Sequence, residues 1–221
     1  MESAKTALIA GASGLVGSHC LQLLLNDPRY SKVISIGRRP LHQEHPKLKQ
    51  LVVDFNDLTK VQQSLVADDV YCCLGTTIKK AGSKENFRKV DLHYVVNLAK
   101  ITAKNFATQF LVVSALDADP ESHIFYNHTK GEMEQAVKAL PFTAVHIFQP
   151  SLLLGNRQEK RTGETMAAVA MRWFGFLLRG PLRKYRPIQA KTVAKAMLEA
   201  AKQDGGGVLV HPSEQMQQYA A

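Results

Sequence analysis

The sequence predicts a doubly wound, parallel α/β sheet with helices on both faces, and three observations predict it. Short runs rich in Val, Ile, Leu and Phe alternate with helical patterns along the whole chain. Those runs lack a strict polar–apolar alternation, as strands buried on both faces do. The first run leads directly into a glycine-rich turn and then an amphipathic helix, the unit from which such sheets are built.

Strands are expected at Lys5–Ala10, Lys32–Ile36, Leu51–Phe55, Asp69–Leu74, Phe110–Ser114 and Thr143–Phe148, with a seventh at Gly207–Val210 introduced by Gly205-Gly206-Gly207. Val16, Cys20, Leu23 and Leu24 keep the spacing of one helical face, and that helix stops near Asn26-Asp27-Pro28. Further helices are expected at Val90–Lys104, Tyr126–Leu140, Thr165–Leu178 and Thr192–Lys202. A chain of 221 residues, 45% hydrophobic, suffices for one full core. The expectation is a single domain over residues 1–221, with residues 150–202 contributing a small basic annex for substrate.

Charge and cysteine usage narrow the class. The net charge is +9, and residues 156–202 carry eleven Lys/Arg against three Glu, a local excess of +8. That field is either a solvated surface or an attractor for an anionic small-molecule substrate, a phosphate-rich cofactor or an acidic partner. No nucleic-acid-binding motif accompanies it, so no nucleic-acid partner is expected. Cys20, Cys72 and Cys73 are too few for a disulfide scaffold, and no Cys/His cluster suggests a metal. No signal peptide and no membrane span are visible, since the apolar stretch Thr165–Leu178 is interrupted by Arg172. The expected location is the cytoplasm; a homo-oligomer stays open.

The glycine turn is Gly11-Ala12-Ser13-Gly14-Leu15-Val16-Gly17. Gly11 suits the tight turn, Gly14 the close approach of a pyrophosphate, and Gly17 the packing of helix on strand. The backbone of Ser13 and Leu15 lies between them, and the helix N-terminus offers free N–H groups to phosphate. With a strand before and a helix after, this G-x-x-G-x-x-G turn is expected to be a dinucleotide phosphate loop, the other reading being a glycine turn without ligand. About 20 residues further on, an NAD-binding chain places an acid for the ribose 2′-hydroxyl. Here Gly37 stands there, followed by Arg38 and Arg39. Two guanidiniums are suited to clamp a 2′-phosphate, so NADP (NADPH) is the expected cofactor, although paired arginines also occur as plain surface charge. Asp54 with Phe55 is placed to border the adenine, or Asp54 is a turn residue. Gly75 lets the backbone pass close to the nicotinamide side.

Tyr126 and Lys130 stand four residues apart, on one face of a helix. An ammonium beside a phenol favours its ionised form, so Tyr126 is a candidate proton donor to a carbonyl oxygen and Lys130 a candidate ribose ligand. Ser114 ends a strand twelve residues before Tyr126, at the sheet edge where ligands bind. A hydroxyl there is suited to bond the substrate oxygen.

Gly11, Gly14, Gly17, Ser114, Tyr126 and Lys130, in this order and spacing, resemble the short-chain dehydrogenase/reductase family over nearly the whole chain. Cys72-Cys73-Leu74-Gly75-Thr76-Thr77, Lys80-Ala81-Gly82-Ser83, Val90-Asp91 and Arg157-Gln158-Glu159 narrow the resemblance to the atypical subgroup named after the Tat-interacting protein. That resemblance implies NADPH binding and leaves the substrate undefined. It also implies an asparagine completing a proton relay on the helix after strand four, where this chain has Asp91; a structural role for Asp91 is the expectation. Adjacent cysteines bridge only with strain, so Cys72-Cys73 reads as a buried pair. Residues 166–178 read as a lid, a core helix or a membrane-surface helix. Two functions fit: an NADPH-dependent reductase of a carbonyl or similar group, or a non-catalytic NADPH-sensing or partner-binding protein on the same fold.

Overall fold

A computed structural model describes residues 4–155, 180–203 and 205–220. The strands are β1 (Lys5–Ala10), β2 (Tyr30–Gly37), β3 (Leu48–Val52), β4 (Asp69–Cys72), β5 (Gln109–Val113), β6 (Ala144–Gln149), β7 (Leu153–Leu154), β8 (Ile188–Gln189) and β9 (Gly207–Pro212). The helices are α1 (Leu15–Asn26), α2 (Ile78–Ala81), α3 (Lys84–Arg88), α4 (Tyr94–Lys104), α5 (Phe125–Lys138), α6 (Ala190–Ala200) and α7 (Ser213–Met216). Seven strands form one sheet in the order β3-β2-β1-β4-β5-β6-β9, every neighbouring pair parallel. β7 and β8 pair separately, Leu153 opposite Ile188.

Successive strand residues point to opposite faces, and both faces are covered. Ala7, Ile9, Val33, Tyr71, Leu111 and Phe148 share a core with α1 and α6. Leu8, Ala10, Ile34, Cys72, Val112 and Ile147 share the other with α4 and α5. This double burial is why the strands read as continuous apolar runs. α1 forms because Val16, Cys20, Leu21, Leu24 and Leu25 recur at helical spacing and are buried. It ends at Asp27, whose N–H still reaches the Leu24 carbonyl, because the next residue is Pro28, which has no N–H to continue the ladder.

Several expected boundaries move. β3 occupies Leu48–Val52 and not Leu51–Phe55. It is one of the sheet's two edge strands, and its pairing extends over the polar Lys49 and Gln50. The apolar run after it marks instead the descent of Val53 and Phe55 into the core. β4 ends at Cys72, although the Cys73 N–H still donates to the Ala10 carbonyl at 2.9 Å. The expected helix Thr165–Leu178 lies outside the described residues. Within the stretch expected to form the annex, α6 is a layer of the main fold: Val193, Ala194 and Met197 are fully buried in the core that α1 shares.

Candidate active site

The sheet order reverses at β1, whose neighbours are β2 and β4. At such a switch point a crevice opens beyond the carboxyl ends of the strands, and the glycine turn sits there. Gly11 has φ +83°, a conformation that L side chains resist. Its carbonyl accepts from the Gly14 N–H at 2.9 Å. A Cβ on Gly11 would stand 2.6 Å from the Cys73 carbonyl oxygen, and one on Gly17 only 2.1 Å from the Gly11 oxygen. β1, α1 and the end of β4 thus meet with no space for side chains. Gly14 differs: it is exposed, and a Cβ there would meet only the Gly11 oxygen, at 3.1 Å. The open side of the turn lies at Gly14, which also caps α1 with no side-chain hydrogen bond. The first N–H groups of α1 are therefore free of a side-chain cap, and a pyrophosphate fits them. Ser13 is exposed and Leu15 half-buried.

Arg38 and Arg39 follow directly on β2 and are both exposed. Asp54 lies two residues beyond β3, where its carboxylate accepts from the Asn56 N–H at 2.9 Å. That bond and a second one from the Asn56 side chain hold its pKa down. This is the geometry of a turn residue. Phe55 is 4% exposed and stacks on Tyr94, centroids 5.5 Å apart. Its ring belongs first to the core, and it borders a cleft of about 460 Å³ that also involves Asn56, Arg88, Lys89 and His93.

Lys130 and Asp91 form the electrostatic centre of the site. The Lys130 Nζ lies 2.8 Å from Asp91 Oδ1, with side chains 4% and 1% exposed. Asp91 Oδ2 accepts from the Thr76 N–H at 2.8 Å. A Cβ on Gly75 would stand 3.4 Å from Asp91 Oδ1 and 4.0 Å from Lys130 Nζ, so the pair lies against the chain leaving β4. Burial by itself lowers the Lys130 pKa; the Asp91 carboxylate, with Tyr126 after it, outweighs that and the net direction is upward. Asp91 reaches Lys130 from a π-helical turn, Lys89–His93, that precedes α4. One extra residue per turn re-aims side chains, and such turns recur at functional sites. Asp91 is thus the buried counter-ion of the candidate lysine, a role that helical periodicity does not disclose.

Tyr126 lies in the first turn of α5 and is half-buried, its ring tilted on Phe87 with centroids 5.3 Å apart. Between β5 and α5 the chain folds back, the Asp119 N–H donating to the Asn127 carbonyl at 3.1 Å. Ser114 stands one residue past β5 and is 5% exposed. Its hydroxyl donates to Glu134 Oε1 at 2.6 Å. Glu134, itself 3% exposed, also accepts from Gln149 Nε2, at 2.9 Å and 3.2 Å to its two oxygens, and from Lys138 Nζ at 3.3 Å. Glu134 and Gln149 escaped the sequence reading. The available signal was spacing: Tyr126, Lys130, Glu134 and Lys138 recur every four residues along one helix face. The Cys72 thiol, fully buried, is pushed up to about 12 by burial. The Cys73 thiol is also raised, by its contact with Cys20 and then by burial.

The fold, with its glycine turn at the switch point, is that of a nicotinamide-dinucleotide-binding α/β protein. The model of the NAD(P)H-binding family matches residues 11–168. Protein HTATIP2 of Rattus norvegicus is 36% identical over 207 residues, covering 92% of this chain and 84% of that protein. "Protein FMP52, mitochondrial" of Candida albicans is 32% identical over 211 residues, covering 92% and 91%. Among solved structures, the oxidoreductase ylbE of Lactococcus lactis superposes with a TM-score of 0.66 at 18% identity, over 96% of this chain and 95% of that one. The Bordetella bronchiseptica enzyme WbmH in complex with NAD+ does so at 0.69 and 17%, over 98% and 79%. The chain belongs to the NAD(P)H-binding family, as an atypical short-chain dehydrogenase/reductase resembling HTATIP2. The cytoplasmic expectation is overturned, because several of the fungal relatives are named as mitochondrial proteins. It rested on the low cysteine count and on the want of a visible signal peptide. Among the described residues no helix is long and apolar enough to cross a membrane.

Proposed function

We propose that the protein is an NADPH-dependent oxidoreductase that reduces a carbonyl or similar group on a small substrate. The observation that carries this reading is the α5 face. Tyr126 and Lys130 stand one turn apart on it, and Lys130 is anchored by Asp91 against Gly75, at the carboxyl end of the strand beside the phosphate turn. The N–H groups from Ser13 to Leu15 would hold the pyrophosphate, and Arg38 and Arg39 would hold the 2′-phosphate. A dihydronicotinamide held there would supply the hydride for the carbonyl carbon. Tyr126 gives its phenolic proton to the carbonyl oxygen, which completes the alcohol, and solvent returns a proton to the phenolate. Lys130 keeps a positive charge beside the phenol while that proton leaves. Any anionic substrate group is drawn by the basic C-terminal third, and the relatives' names support a mitochondrial setting. The test is Tyr126→Phe, which removes one oxygen from a packed ring. NADPH affinity should persist, and NADPH consumption over a carbonyl panel should fall by about 10²–10⁴. Undiminished turnover would refute the mechanism.

A further inference from the structure

α4 ends in a Schellman motif, and the residue at its left-handed position is not a glycine. The Phe106 N–H donates to the Ala103 carbonyl at 3.1 Å and the Ala107 N–H to the Thr102 carbonyl at 3.0 Å, the two bonds that close such an end. Phe106 has φ +62°. Glycine takes that conformation at no steric cost, whereas a side chain crowds the following carbonyl. The ring gains nothing from the fold in exchange, for Phe106 is 89% exposed. Its backbone is nevertheless firmly held. Asn105 Nδ2 donates to the Gln62 and Leu65 carbonyls at 2.7 and 2.9 Å, and the Thr108 N–H to the Asp68 carbonyl at 2.8 Å. The two loops therefore run together, with Val66, 55% exposed, across from Phe106. Lys100 and Lys104 are exposed one turn apart at the same end of α4, and among the described residues neither ammonium meets a carboxylate. The nearby Asp68 accepts from the Thr6 N–H at 2.7 Å.

We propose that this edge of the protein docks on an anionic lipid surface, with Phe106 and Val66 entering the headgroup layer and Lys100 and Lys104 meeting lipid phosphates. Two apolar side chains on two loops fall short of the roughly 800 Å² that each partner of a stable protein complex buries. A bilayer asks for less. Apolar side chains seat at the boundary of headgroups and acyl chains, and each lysine near an anionic surface adds attraction. Phe106 precedes β5 and Val66 precedes β4, whereas the glycine turn follows β1. In a parallel sheet these are opposite edges, so the docked protein keeps its cofactor crevice open to solution.

The experiment sediments the full chain with vesicles of phosphatidylcholine, with and without phosphatidylglycerol. Wild type should bind the anionic vesicles at least about tenfold more tightly than the neutral ones, and added salt should release it. Phe106→Gly should weaken that binding by at least about tenfold, the effect of withholding one phenyl ring. The same variant should raise Tm by about 2–4 °C, because glycine suits the left-handed position. A protein that grows more stable while losing lipid affinity has not lost it by unfolding. Phe106→Asn, which also tolerates that conformation, should lose binding alike. Lys100→Gln/Lys104→Gln should weaken binding by about tenfold and flatten its salt dependence. Equal binding to the two kinds of vesicle, undiminished binding in Phe106→Gly, or a lower Tm in that variant overturns the proposal. So does a concentration-dependent dimer in analytical ultracentrifugation that Phe106→Gly dissolves, since the ring then belongs to a contact with a second copy of the chain.

Discussion

Removing Asp91 should expose how much of the site is held by one buried charge pair. Lys130 and Asp91 are 2.8 Å apart with almost no solvent access, so Asp91→Ala leaves an ammonium buried without its counter-ion and the Thr76 N–H without its acceptor. Breaking a buried pair from one side costs about 3–5 kcal/mol. With a urea m-value of about 2–3 kcal/mol/M, the unfolding midpoint should fall by about 1–2.5 M. Asp91→Ala/Lys130→Met removes both charges and should recover much of that loss, since an apolar replacement of the whole pair is often neutral. The pH dependence has a definite sign. The folded pKa of Lys130 is raised above 10.5, so the pair's contribution is complete below 10.5 and is lost as pH climbs through the folded value. Wild type and Asp91→Ala should therefore converge at alkaline pH. Urea titrations followed by circular dichroism measure all three proteins. A loss under about 1 kcal/mol in Asp91→Ala, or a double variant weaker than the single one, would refute the reasoning.

Gly14 and Gly17 should fail differently. Gly17→Ala forces a Cβ against the Gly11 carbonyl; overpacking of about 1–3 kcal/mol corresponds to a Tm about 2–12 °C lower by calorimetry. In Gly14→Ala the Cβ would meet one atom, the Gly11 oxygen at 3.1 Å, against 2.1 Å in Gly17→Ala, so its Tm should fall less than that of Gly17→Ala while dinucleotide affinity falls at least about tenfold, an effect of about 1.4 kcal/mol. Arg38→Ala/Arg39→Ala should abolish a preference for NADPH over NADH of at least about tenfold, since charge-assisted bonds contribute about 1.5–3 kcal/mol each; equal affinities in the wild type by titration calorimetry would remove the 2′-phosphate assignment. His146 is fully buried, bonded through Nδ1 to His211 Nε2 at 3.0 Å, and burial, then His211, lowers its pKa from 6.5 to about 4. The unfolded chain takes that proton first, so stability should fall as pH drops from 6.5 toward 4, by about 2 kcal/mol at pH 5. His146→Phe should flatten that slope in urea midpoints measured from pH 7 to 5.

What the sequence determined by itself was whatever depends on neighbours along the chain. Strand–turn–helix order, the apolar runs of a doubly covered sheet and the glycines at 11, 14 and 17 follow from local backbone chemistry. So does the four-residue spacing of Tyr126 and Lys130. Each is legible because backbone geometry and helical period act over a few residues. What the tertiary structure decided was which distant polar groups meet. Asp91 reaches Lys130 from a separate turn across 39 residues of sequence. Ser114, Glu134 and Gln149 come from the end of a strand, a helix and a second strand. Leu51–Phe55 reads as a strand from its apolar residues, of which Val53 and Phe55 are buried in the core, and only the pairing with β2 shows that the ladder ends at Val52. Side-chain composition reports how much a residue avoids water; the identity of its partner is set by the packing of the layers, which local sequence does not encode.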